Sequence, residues 1–169
     1  VGTTAGDLAG NRSDGDDNLF LTKVDGEGRI VWQRSLGATG SSTGAAVKLT
    51  ADGDIVVAGT VQGSFDGASS DGDMLVARYN ASGDEEFATL VRNYGSETAN
   101  ALAVGADGSI YVGGRRNLIS GSGDAFLARI DADGTLAERR TIDQGGSESV
   151  RALEVDANGN LLALINEGG

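Results

Sequence analysis

The sequence predicts an all-β chain built from repeated units of four short antiparallel strands. Three observations predict it. Two separate blocks recur three times at shared spacings, Asp-Gly and Asn-Gly turn signals part short apolar runs, and no segment keeps a helical period. The first block is Asn18–Trp32, Asp73–Phe87 and Asp124–Glu138. The second is Ala46–Thr60, Ala101–Arg115 and Ala152–Asn166. Both are offset by 55 residues and then by 51, and chance similarity among glycines would not hold one register across two blocks.

Each block reads as a hairpin. Leu19-Phe20-Leu21-Thr22-Lys23-Val24 leads through Asp25-Gly26-Glu27-Gly28 to Arg29-Ile30-Val31-Trp32. Val47-Lys48-Leu49 leads through Ala51-Asp52-Gly53 to Ile55-Val56-Val57-Ala58. Gly takes positive φ without a Cβ clash, which is why Asp-Gly between two apolar runs signals a hairpin. Asp107-Gly108, Asp133-Gly134, Asn158-Gly159 and Ser82-Gly83 repeat the signal. Naming the strands of one unit a to d, the first full unit has a at about 46–50, b at 54–60, c at 74–79 and d at 85–92. The next has them at about 101–105, 109–114, 124–130 and 135–142. Val1-Gly2-Thr3-Thr4 matches the end of a b strand, with c and d following at about 19–24 and 29–36.

Four antiparallel strands per repeat of about 50 residues is the pattern of a β-propeller blade. The expected division is a half blade 1–45, a blade 46–100, a blade 101–150 and a half blade 151–169. Closed propellers have roughly 4–8 blades. These repeats, about three in number, are therefore expected to be part of a larger propeller, or to be completed by oligomerisation when terminal halves share a blade.

The residues also carry a family likeness. Gly145-Gly146-Ser147 runs into Ala152-Leu153-Glu154-Val155-Asp156-Ala157-Asn158-Gly159-Asn160. Ala101-Leu102-Ala103-Val104 runs into Gly108-Ser109-Ile110-Tyr111-Val112-Gly113-Gly114, and Asp124-Ala125-Phe126-Leu127-Ala128-Arg129-Ile130-Asp131 follows. This resembles the bacterial β-propeller repeats called SBBP repeats, over nearly the whole chain. The resemblance implies a repeat segment of a large bacterial surface or secreted protein, outside the cytoplasm. The last b strand, Leu161-Leu162-Ala163-Leu164-Ile165, departs from it by lacking the closing Gly, which suggests an end or contact strand.

Composition excludes several functions. With no His and no Cys, zinc fingers, Ser-His-Asp triads, Cys nucleophiles and disulfides are ruled out. A net charge of −12 argues against a nucleic-acid partner, which needs clustered Lys and Arg. No apolar run approaches the roughly 20 residues of a membrane helix, so no membrane insertion is expected.

The repeated positions are the candidate functional residues. Lys23, Arg78 and Arg129 recur in strand c. Their expected role is structural pairing, with Asp25, Asn80, Asp131, Glu97 or Glu148 as partners; a ring of cations binding an anion is the rival. Trp32 and Phe87 recur in strand d, with Glu138 third, and are expected to pack blade against blade. No catalytic, cofactor-binding or metal-binding residue is assigned. Ca²⁺ is a weaker candidate, with Asp14, Asp16 and Asp17 as ligands, because alternate carboxylates near Gly supply hard oxygens. Asp and Asn before Gly are also ordinary turn formers. Glu85 and Glu86 are expected to face solvent, leaving no glycosidase-like pair. Phe65 is the one aromatic placed to meet a glycan. The expected function is therefore a non-catalytic structural and interaction module of a bacterial surface, secreted or filament-associated protein. It would present the b–c loops Thr3–Asp17, Thr60–Gly72 and Arg115–Gly123 to a protein or glycan partner, or to the remaining blades of the same or another chain. A Ca²⁺-dependent adhesin and part of a propeller hydrolase are the alternatives.

Overall fold

In a computed structural model, residues 1–4, 18–93, 95–117 and 123–168 are described, and every regular element among them is a strand. The strands group into four antiparallel sheets in sequence order. The first has β1 (Gly2–Thr4), β2 (Asn18–Val24) and β3 (Ile30–Leu36). The second has β4 (Ser42–Leu49), β5 (Ile55–Phe65), β6 (Ala68–Tyr79) and β7 (Glu85–Val91). The third has β8 (Ser96–Val104), β9 (Ile110–Asn117), β10 (Asp124–Ile130) and β11 (Leu136–Ile142), and the last β12 (Ser147–Val155) and β13 (Leu161–Gly168). The middle two are complete blades in the order a-b-c-d. Among the described residues the sheets do not close into a ring.

The turns form as the sequence dictates. In the six c–d and a–b turns that open at Asp25, Thr50, Asn80, Gly105, Asp131 and Asp156, the glycine N–H donates to the first turn residue, as Gly83 does to the Asn80 carbonyl at 2.9 Å. The glycine sits at positive φ, near 81° to 83° at Gly28, Gly83, Gly108 and Gly159, where a Cβ would be strained. The side chain at the first position often caps the turn. Asp156 Oδ1 accepts from the N–H groups of Asn158 and Asn160 at 2.9 and 2.8 Å, and Asn80 Oδ1 does the same for Ser82 and Asp84.

Side chains alternate along a strand, and in the second and third sheets both faces of strands b and c are buried. Ile55 and Val57 face one neighbouring blade, with Leu19, Leu21, Leu75 and Tyr79. Val56 and Ala58 face the other, with Met74, Val76, Leu102, Phe126 and Ile130. That is why these strands read as unbroken apolar runs. The core is thus a series of layers between sheets. The a strands β4, β8 and β12 lie alongside one another. Lys48 of β4 reaches Glu154 of β12 at 3.5 Å, and the a–b turns at Ala51, Ala106 and Ala157 line one cleft.

Two boundaries differ from the sequence reading. Thr60–Gly72 is not a loop. β5 and β6 run on as a paired hairpin to Phe65 and Ala68, turning at Asp66 (φ 48°) and Gly67. The a strands begin earlier than expected, at Ser42, Ser96 and Ser147 in the Gly-Ser stretches that precede the apolar runs.

Candidate functional site at the blade junctions

The repeated cation and the repeated aromatic are one device. In the c–d ladder Lys23 stands directly opposite Trp32, Arg78 opposite Phe87 and Arg129 opposite Glu138. After each cation the register shifts by a bulge, which re-aims side chains locally. The first two pairs then hold the c–d turn of the following blade. Lys23 Nζ donates to the Ala81 carbonyl at 2.8 Å, and Arg34 Nε donates to that of Gly83. The Trp32 ring covers the same turn: a Cβ added at Gly83 would stand 2.9 Å from it. One blade on, Arg78 Nη1 donates to the Ala132 carbonyl at 3.3 Å and Thr89 Oγ1 to that of Gly134 at 2.7 Å. Phe87 covers Gly134, where a Cβ would meet the ring at 2.6 Å. The third copy is Arg129, Glu138 and Arg140, which line an open cleft of about 380 Å³ together with Leu127 and Leu161.

The expected partners of the cations are met only in part. Arg129 lies 3.3 Å from Asp131. Arg78 pairs instead with Asp54 and with Glu86, the latter at 2.7 Å. Glu97 and Glu148 pair with none of the three cations in the described contacts. Glu85 and Glu86 are exposed but engaged, since Tyr79 Oη donates to Glu85 at 3.1 Å. Burial first, then the Glu85 charge, pushes the Tyr79 phenol far up. Phe65 is packed on the core between the first two sheets and offers no free platform.

The Asp-rich hairpins spend their carboxylates on the backbone. Hydrogen bonds from following N–H groups hold Asp25, Asp107 and Asp133 below the usual range, and the side chain and N–H of Asn160 do so for Asp156. Asp14, Asp16 and Asp17 lie outside the described residues, as does most of the Thr3–Asp17 loop and the middle of Arg115–Gly123.

A second repeated feature escapes the sequence reading. Between neighbouring blades Asp73 and Asp124 of strand c meet Glu97 and Glu148 of strand a. All four are buried, as are Asn18 and Ser42 at the matching positions 55 residues earlier. Burial, opposed by the Asn93 N–H and reinforced by Asp73, pushes Glu97 up to about 7. A proton on Glu97 lets it donate to Asp73. Arg92 Nε lies 3.5 Å from Asp73. The recurrence of Glu after Ser at 96–97 and 147–148 is the available signal, but the expectation pairs these glutamates with the strand c cations and not with an acid, since acids are seldom buried together.

Residues 105–136, which carry β9, β10 and the c–d turn of the third sheet, match a family model described as a domain of unknown function (DUF5122) beta-propeller. The chain is 32% identical over 175 residues to the regulatory protein FlaEY of Caulobacter vibrioides, covering 91% of this chain and 18% of that protein. It spans about a fifth of the length of that relative. The repeats are thus of the β-propeller type, a broader statement than the SBBP likeness.

Proposed function

We propose that this chain is a non-catalytic arc of propeller blades, of SBBP-like repeats, that docks further blades and displays its b–c connections to a protein or glycan partner outside the cytoplasm. One observation carries this reading. The same contact joins the first sheet to the second and the second to the third, and its third copy lines an open cleft. The occupant that fits is another c–d hairpin with a small residue and Gly in its turn, from the same or another chain. The displayed elements lie on the rim where strand b passes to c, and the exposed tip of the β5–β6 hairpin at Asp66 and Gly67 belongs to it.

The carboxylate pairs weigh against a hydrolase. They recur at two junctions and are fully buried, whereas glycoside hydrolysis needs a pair flanking an accessible cleft. The relative is named a regulatory protein, which is compatible with binding work.

Sedimentation with apolar-dye binding tests the proposal. The 169 residues should self-associate with concentration and bind the dye. Extending the chain by one more c–d hairpin should reduce both. A folded monomer that binds no dye would overturn it.

A further inference from the structure

The two junctions that bury a carboxylate pair are built on one plan but carry different charges around it. Between the second and third sheets, Asp73 and Glu97 have Arg92 beside them, and Arg116 also relieves Glu97. Fifty-one residues on, Asp124 and Glu148 take the same places. Arg92 is replaced by Asp143, and the position of Arg116 is taken by Glu167, which pairs with Glu148 across the β12–β13 ladder. Cations have been exchanged for acids at both supporting positions.

Geometry gathers the acids. One carboxylate oxygen from each of Asp124, Asp143 and Glu148 lies within 4.8 Å of the other two. Asp124 and Glu148 are buried and Asp143 is exposed. Arg116 Nη2 lies 2.8 Å from Asp124 Oδ2. Glu148 has no exposed surface. Its Oε1 accepts from the Gly146 N–H at 2.9 Å, and its Oε2 has no hydrogen-bond partner. A fully buried carboxylate oxygen without a donor is costly unless a charge or a proton answers it.

We propose that Asp124, Asp143 and Glu148 bind one hard divalent cation, Ca²⁺ by preference, which clips the third blade to the strand that follows it. Three carboxylates and one guanidinium leave a formal charge of −2, and Glu167 beside Gly146 adds one more negative charge, a balance that favours a divalent cation. Ca²⁺ takes oxygens at about 2.3–2.6 Å, so ligand oxygens around it stand up to about 5 Å apart, as these do. The exposed side at Asp143 admits the waters that complete a shell of six to eight. Small Gly146 keeps the place open: a Cβ there would stand 3.2 Å from both Glu148 Oε1 and Glu167 Oε1. The ion would do for this junction what Arg92 does for the previous one.

Calorimetric titration of the chain with CaCl₂, beside melting in Ca²⁺ and in EDTA, tests this. One saturable site is expected, with Ca²⁺ raising the melting temperature and Mg²⁺ acting more weakly. Asp143→Asn and Glu148→Gln should weaken binding tenfold or more. Asp143→Arg rebuilds the arrangement of the other junction; it should fold in EDTA at least as stably as the parent and lose the Ca²⁺ response. Joint replacement of Asp14, Asp16 and Asp17 by Asn should leave the response intact. A parent chain indifferent to Ca²⁺, or an undiminished response in Asp143→Arg, would overturn the proposal. So would loss of the response on replacing Asp14, Asp16 and Asp17.

Discussion

Gly134 answers two demands at once. Its φ is +88°, and the Phe87 ring lies where its Cβ would go. Gly159 meets only the first, with φ +82° and open space around it. Left-handed backbone costs an L-residue roughly 1–2 kcal/mol. Gly159→Ala should therefore lose about 1 kcal/mol in urea unfolding. Gly134→Ala should lose clearly more, because the ring must also withdraw from the turn. Equal losses would mean that the ring does not rest on the turn in solution.

At the scale of elements, the joint between blades is a strand pair grasping a turn. Removing its aromatic by Phe87→Ala should cost about 2–4 kcal/mol, in the range of large-to-small changes at packed rings. The same truncation at the third copy, Glu138→Ala, removes an exposed side chain and should cost under about 0.5 kcal/mol. Thermal melts of the two variants check this contrast. Much of this level was legible in the sequence. The offsets placed the hairpins, and the recurrence of Lys23, Arg78 and Arg129 beside Trp32 and Phe87 marked the joint. What they grip was not legible, because pairing across blades joins residues about 50 apart with no local pattern between them. The β5–β6 hairpin was read as a loop because Gly63, Gly67 and Gly72 with Ser64, Ser69 and Ser70 look like breakers, yet the ladder runs through to Phe65 and Ala68. Glu97 and Glu148, expected to partner the strand c cations, lie instead beside Asp73 and Asp124, because the sequence offers no local sign of which blade a side chain meets.

The whole molecule couples its stability to pH in two opposing ways. Asp25, Asp107, Asp133 and Asp156 are held low by turn hydrogen bonds. Their contribution is present above the ordinary Asp range and is lost as pH falls below it through their lowered folded values. Glu97 works with the other sign. Its folded pKa of about 7 lies above the ordinary 4.5, so the native state binds the extra proton and loses stability as pH rises between those values. Full ionisation costs on the order of 3 kcal/mol. A charge of −12 at pH 7 adds self-repulsion in the same direction. Urea midpoints should peak near pH 5, at about the foot of the Glu97 titration. Glu97→Gln should flatten the decline between about pH 5 and 8 and leave the acid limb unchanged. A decline that survives in this variant would place the titrating group elsewhere.

The grasp of each blade on the next runs one way along the chain. Lys23, Trp32 and Arg34 hold a turn 49 to 58 residues ahead of them. A repeat unit accordingly carries a hand for its successor and a handle for its predecessor. Duplicating or deleting one whole unit of 51 or 55 residues brings or removes both together and leaves the remaining joints matched. Such a chain can gain or lose units by gene-level copying while each remaining hand still meets a handle.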